Sequence, residues 1–117
     1  MFMRIFAIFY KPEATLKIWT KEIGSGLFIQ HGLCTFIAAK SIGSNCWINQ
    51  QVTIGYTNNT DTPSIGNNVQ IGCGAIILGD IHIGDFAKIG AGAVVVKDVP
   101  ARSTVVGVPG RIIKKAD

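Results

Sequence analysis

From Ile65 to Val95 an aliphatic residue returns at every sixth position: Ile65, Ile71, Ile77, Ile83, Ile89 and Val95. Ile65, Ile71, Ile83 and Ile89 are each followed at once by glycine. The fourth residue after each ladder position is small or aliphatic: Val69, Ala75, Ile81, Ala87, Ala93 and Val99. A period of six matches neither the helical period of about 3.6 nor the strand alternation of about 2. A helix would carry glycine in nearly every second turn, at a cost of about 1 kcal/mol each. The pattern predicts a β-solenoid, in which each hexad forms one wall of a coil and equivalent residues stack between coils.

The same ladder begins further upstream. Ile23-Gly24 and Ile29 are six apart, the phase slips by one between His31 and Ser41, and it resumes at Ile42-Gly43, Ile48 and Ile54-Gly55. The polar run Tyr56–Pro63 breaks the period and reads as an external loop. Three hexads make a triangular coil, so coils are expected to start at Ile23, Ile42, Ile65, Ile83 and Ala101, about four to five in all. Second walls then start at Ile29, Ile48, Ile71, Ile89 and Gly107. Residues 1–22 form a lead segment outside the repeat, 23–113 the solenoid domain, and 114–117 a basic tail. Within the lead, Met1–Tyr10 reads as a short helix or strand, and Thr15–Thr20 alternates in the manner of a strand.

Composition narrows the functional classes. The chain of 117 residues is 48% hydrophobic and only 15% charged, and an elongated solenoid buries little per residue, so association with other copies is expected. The net charge of +4 is modest, and no aromatic–basic interleaving or zinc-finger spacing points to nucleic acid. Three cysteines without a CxxC argue against a disulfide framework or a zinc site. Cys46 falls on an interior position and reads as core packing. Met1–Tyr10 is too short to span a bilayer and lacks a cleavage site, which leaves a cytoplasmic location as the expectation.

Phasing the repeat also aligns outward positions. Two residues beyond each second-wall start lie His31, Gln50, Cys73, Ala91 and Pro109. This column has an imidazole at one end, small residues in the middle, and Arg111, Lys114 and Lys115 beyond the other. Such a layout suits a long, thin ligand with a base at one end and a cationic clamp at the other. His82 ends a hexad and reads as an exposed corner residue. Trp19 and Trp47 read as packing or subunit-contact residues.

With these features the chain resembles the hexapeptide-repeat acyltransferases built on a left-handed parallel β-helix, and most closely the serine acetyltransferase group and its polysaccharide-locus relatives. The resemblance covers residues 23–113. It rests on Gly26-Leu27-Phe28-Ile29-Gln30-His31-Gly32, on Ile48-Asn49-Gln50-Gln51-Val52-Thr53-Ile54-Gly55, and on the ending Val106-Gly107-Val108-Pro109-Gly110-Arg111-Ile112. It implies an all-β fold, a homotrimer, and acetyl-CoA as co-substrate in a groove between subunits, with no metal. It implies that His31 is the general base for direct attack of a hydroxyl on the thioester; an imidazole, with an ordinary pKa of about 6.5, suits that task. Backbone amides of the groove would hold the oxyanion. Cys73, Gly74, Ala91 and Gly92 match the residues lining the pantetheine arm, and Arg111 and Lys114 match the region meeting the phosphates.

The departures are as informative. Thr62 stands where that group carries a second active-site histidine before a proline, and Leu16 stands near its upstream aspartate. These losses shift the expected acceptor from L-serine toward a sugar or another hydroxyl compound. Tyr56, Asn58 and Asp61 on the insertion are candidates for acceptor contact, alongside their plainer reading as solvated turn residues. A metal-dependent carbonic anhydrase of the same fold would need three histidines, and only His31 and His82 are present. A repeat scaffold without catalysis is the other alternative.

Overall fold

The computed structural model describes residues 15–58 and 60–115; Met1–Tyr10 lies outside them. The described chain consists of short strands and turns, in chain order. A first strand, β1 (Leu16–Ile18), precedes coil one, which is β2 (Glu22–Ile23), β3 (Phe28–Ile29) and β4 (Thr35–Ile37). Coil two is β5 (Ser41–Ile42), β6 (Trp47–Ile48) and β7 (Thr53–Gly55). Coil three is β8 (Ser64–Ile65), β9 (Gln70–Ile71) and β10 (Ile76–Leu78). Coil four is β11 (His82–Ile83), β12 (Lys88–Ile89) and β13 (Val94–Val95), and β14 (Ser103–Val106) and β15 (Arg111–Lys115) follow.

Equivalent strands of successive coils stack in parallel, which generates three sheets as the faces of a prism, with β15 added antiparallel at the end of one. The first wall aligns Ile23, Ile42, Ile65 and Ile83, and an isolated bridge adds Val99. The second aligns Ile29, Ile48, Ile71, Ile89 and Val105. The third aligns Ile18, Ile37, Ile54, Ile77 and Val95. From Ile29 onward these side chains point inward and pack with Cys46, Val52, Val69, Ala75, Ala87 and Ala93 in one core, while Ile18 and Ile23 at the open end stay exposed. Each fully buried isoleucine contributes about 1.5–3 kcal/mol. Burial pushes the Cys46 thiol above its ordinary value, so it stays neutral, consistent with packing.

Two expectations need correction. The last coil starts at Val99 and its second wall is at Val105, not Ala101 and Gly107. The reason lies in Asp98, whose Oδ1 accepts a hydrogen bond from His82 N at 2.9 Å while Val99 N donates to His82 O at 2.9 Å. The side chain stands in for backbone and closes the corner two residues early. Gly107 therefore takes the column place expected of Pro109. The ends of the repeat also extend further than 23–113. β1, inside the expected lead segment, pairs in parallel with β4, and β15 runs antiparallel along β14 as far as Lys115, into the expected tail.

Corner lengths explain where the phase slips. The first-to-second wall step is six residues in every coil, from Ile23 to Ile29 through Val99 to Val105. The second-to-third step is six except from Ile29 to Ile37, where two residues are added beside His31. All other variation falls at the third-to-first corner, which holds the Tyr56–Pro63 insertion.

That insertion is organised by its own polar side chains. Asp61 Oδ1 accepts from Thr57 N at 2.9 Å and Asn58 N at 2.8 Å, and its other oxygen bonds the Thr57 hydroxyl. Asn58 Oδ1 accepts in turn from Thr60 N at 2.9 Å. Pro63 is buried and its carbonyl accepts from Lys40 N at 2.7 Å, which ties the loop to the neighbouring coil.

Glycine in the first wall is a matter of space. A Cβ on Gly84 would lie 2.7 Å from Ala101 Cα and 2.9 Å from the Pro100 carbonyl carbon. Neither atom can move without parting two coils. Gly84→Ala is expected to destabilise the protein by about 1–3 kcal/mol in urea unfolding; an unchanged midpoint would show that the coils are not held this closely. Gly92 is the opposite case, with a φ of 72° and open space around it, so Gly92→Ala costs only the left-handed backbone, about 1–2 kcal/mol.

The Asp61 carboxyl is held below its ordinary value, first by the Thr57 hydroxyl and then by Asn58 N. Its contribution to loop order is therefore complete above the unfolded value of about 3.9 and is lost as pH falls through the lower folded value. The protection factors of the Thr57 and Asn58 amides, their exchange rates divided by the intrinsic rate at each pH, should be high at neutral pH and fall on acidification. Asp61→Asn should lower both protection factors already at neutral pH, and equal protection in variant and parent would refute this anchoring role.

Candidate functional site

The two residues added between Ile29 and Ile37 push one side chain out of the repeat. His31 adopts a φ of 68°, a left-handed conformation that histidine enters more readily than most residues, and its ring is exposed. Its Nε2 lies 3.5 Å from Gln30 Nε2, a long contact. The opposite end of that carboxamide is fixed, because Trp47 Nε1 donates to Gln30 Oε1 at 3.2 Å and to Asn49 Oδ1 at 3.1 Å. An indole N–H only donates, so Gln30 must turn its oxygen to Trp47 and its NH₂ to His31. The Gln30 NH₂ then faces the imidazole Nε2 and matches the tautomer in which that nitrogen accepts.

Above His31 the corners of successive coils stack along one edge of the prism. Gln51 N donates to Leu33 O at 2.8 Å, Gly74 N to Gln50 O at 3.1 Å, and Gly92 N to Cys73 O at 2.9 Å. The structure thus brings His31, Cys73, Gly74, Ala91 and Gly92 onto one edge. Beside it, on the outer face of the second wall, runs a groove of about 360 Å³. Gln30, Trp47 and Asn49 form one end, Gly72, Gly90 and Ala91 the floor, and Lys88 and Thr104 the other end. Five rows of parallel strand spacing give it a length of about 19 Å.

Four glycine amides along the groove are already bonded. Gly72 N and Gly90 N donate to Ile89 O and Val105 O, each at 2.8 Å, and the Gly74 and Gly92 amides are committed as above. The coil-to-coil ladder leaves none of these four for a ligand.

The other candidates are separated. Lys114 joins Lys88, Arg102 and Phe86 around a cavity of about 120 Å³ that continues the groove through Lys88 and Thr104. The Arg102 guanidinium sits 4.7 Å over the Phe86 ring. Arg111 instead lines a cavity of about 490 Å³ at the end of the solenoid, with Val95, Val99, Val105 and Ile112. Tyr56, Asn58 and Asp61 occupy the third-to-first corner, and the third wall divides them from His31 within one chain. Asp61 and Asn58 spend their oxygens inside the loop.

Sequence reading missed Gln30, Trp47, Asn49, Gln70, Lys88 and Arg102. A signal for five of them existed: Trp47, Gln70 and Lys88 directly precede second-wall isoleucines, and Gln30 and Asn49 directly follow them, so the ladder points them outward. Among the described residues no group of three or more His, Cys, Asp or Glu is placed to hold a metal ion, and no helix is long and apolar enough to cross a membrane.

Known proteins share this architecture and sequence. Residues 62–97 match the family model described as bacterial transferase hexapeptide (six repeats). A serine acetyltransferase of Synechococcus elongatus is 46% identical over 99 residues, which is 81% of this chain and 41% of the relative. One from Synechocystis is 50% identical over 96 residues, 79% of this chain and 39% of the relative. The Brucella abortus serine acetyltransferase in complex with coenzyme A superposes with a TM-score of 0.74 at 44% identity, covering 82% of this chain and 40% of that one. The chain spans about two fifths of the length of these relatives. The solenoid is the left-handed parallel β-helix of the serine acetyltransferase structures. With its stacked hexads, its matching repeat signature and its shared sequence, the chain is a hexapeptide-repeat protein similar in sequence and fold to the serine acetyltransferases.

Proposed function

We propose that the chain is an acetyl-CoA-dependent O-acetyltransferase acting on a small hydroxyl acceptor, with His31 as general base. The observation that carries this reading is the groove itself: Gln30 at one end contacts the exposed imidazole of His31, and Lys88, Arg102 and Lys114 gather at the other. Its flat glycine–alanine floor suits an extended pantetheine arm, and its cationic end suits phosphates. The names of the relatives make L-serine the reference acceptor.

The step is a direct transfer. The acceptor hydroxyl displaces the long Gln30 contact and hydrogen-bonds His31 Nε2. Its oxygen forms a bond to the acetyl carbonyl carbon as the proton moves to Nε2. The carbon–sulfur bond then breaks, and the departing thiolate takes the proton from the imidazolium. The Gln30 NH₂, aimed by Trp47, is one donor available to the carbonyl oxygen.

The assembly proposed is a homotrimer, in which the Tyr56–Pro63 corner of one copy faces the His31 corner of the next. Support comes from geometry: one rigid prism keeps these corners on opposite borders of its third wall. The cytoplasm is the proposed location, in keeping with three free cysteines.

Two experiments test this reading. His31→Ala should lower the rate of thiol release from acetyl-CoA by about 10²–10⁴-fold with coenzyme A binding retained. Full activity in that variant, or a parent protein that neither binds coenzyme A nor consumes acetyl-CoA with any acceptor, would overturn it. Lys114→Ala should raise KM for acetyl-CoA about threefold to tenfold, more at low salt, and leave KM for acetyl-pantetheine unchanged. An equal effect on both donors would remove Lys114 from phosphate contact.

A further inference from the structure

The acceptor end of the groove holds an aromatic side chain that the repeat does not require and that exposes more ring than the aiming of Gln30 needs. Trp47 occupies an outward column whose other members are Phe28, Gln70, Lys88 and Thr104, so the fold places no demand for an indole there. It is 44% exposed and lines the groove. It is also held in one orientation. Phe28 packs edge-on against it, with centroids 4.9 Å apart at 67°, and its N–H is shared between Gln30 and Asn49. A large, half-exposed ring that is fixed by its neighbours is ready to meet a flat apolar surface without loss of side-chain freedom.

The groups around it are uncharged at this end. Gln30, Asn49 and Gln70 present carboxamides, which pair a donor and an acceptor at a spacing suited to neighbouring hydroxyls. L-Serine carries an ammonium and a carboxylate, and both would lose hydration here without an opposite charge from the described residues lining this end. A pyranose has the complementary character. Its axial C–H bonds form a weakly positive apolar face that seats on an aromatic ring, and its hydroxyls radiate toward the rim.

We propose that Trp47, Asn49 and Gln70 form a monosaccharide-binding platform, and that the acceptor hydroxyl belongs to a neutral pyranose ring stacked on Trp47. The proposal rests on the transferase reading above. Gln30 links the two: it lies at the platform and against His31 Nε2, so a ring on the indole directs one hydroxyl toward the base.

The test uses methyl hexopyranosides and methyl N-acetylhexosaminides as probes, with L-serine as the acyclic comparator. Acetyl transfer to at least one pyranoside should exceed transfer to L-serine about tenfold in kcat/KM. Trp47→Ala should lower the pyranoside-to-serine ratio about tenfold, and Trp47→Phe should restore most of it. Transfer to L-serine with none to any pyranoside, or a ratio unaltered in Trp47→Ala, overturns the platform. Quenching of indole fluorescence by the pyranosides in the absence of acetyl-CoA, lost in Trp47→Phe, reads the platform without turnover. Sugar binding with no acetyl transfer to any acceptor would sink the transferase reading and retain the platform. Serine acetylation without sugar binding would do the reverse.

Discussion

Each coil of this protein must satisfy its backbone against the coil before and the coil after, and nearly everything else follows from that repeated approach. The ladder bonds are close throughout: Gly43 N to Ile65 O at 2.9 Å, Gly66 N to Ile83 O at 2.8 Å, Gly84 N to Val99 O at 2.8 Å. Because one strand lies directly on the next, inward side chains form straight columns and must be of one kind. Isoleucine fills the long walls and alanine or valine the corners. Where a corner leaves a backbone N–H without a carbonyl above it, a side chain of the next coil supplies the oxygen. Asn67 Oδ1 accepts from Ser44 N at 2.8 Å and Asp85 Oδ1 from Asn67 N at 2.7 Å. That ladder of short polar side chains occupies the space beside Gly43 and Gly66, which is why no Cβ can be accommodated there.

The same constraint sets what could be read from the chain. The periodic isoleucines disclosed the fold because stacking leaves no freedom at those positions. The first-to-second corner never changes length, and its left-handed residues Asn45, Asn68, Phe86 and Arg102 form a column as regular as the core. The third-to-first corner has no such demand, and there the reading of phase failed. Thr15–Thr20 read as a strand, but the five-residue step from Ile18 to Ile23 hid the place of β1 in the third wall, although the step from Ile37 to Ile42 is the same. The four-residue step from Val95 to Val99 hid the true start of the last coil, because Asp98 replaced backbone by side chain, an exchange that a hydrophobic pattern does not register. His31 was legible through its neighbours in sequence. The separation of Arg111 from Lys114 was not, because it depends on β15 reversing direction and alternating its side chains between two surfaces.

Outward columns carry a different kind of information. Gly72 in the groove floor would place a Cβ 2.6 Å from Ala91 N, so glycine is required there by the coil above, whether or not a ligand ever lies on it. The smooth floor is thus a by-product of close stacking and by itself says little about chemistry. Trp47, Gln70 and Lys88 are another matter. They follow one another in register on a face where the ladder needs only a strand residue, and they change from aromatic to amide to cation along the groove. Residues that the fold leaves free, yet that grade in this way toward a base at one end and positive charge at the other, are where a solenoid of otherwise interchangeable coils acquires direction. A donor with a thioester at one end and phosphates at the other has only one favourable way to lie along it, and that polarity sets its acyl carbon beside His31 rather than beside Lys114.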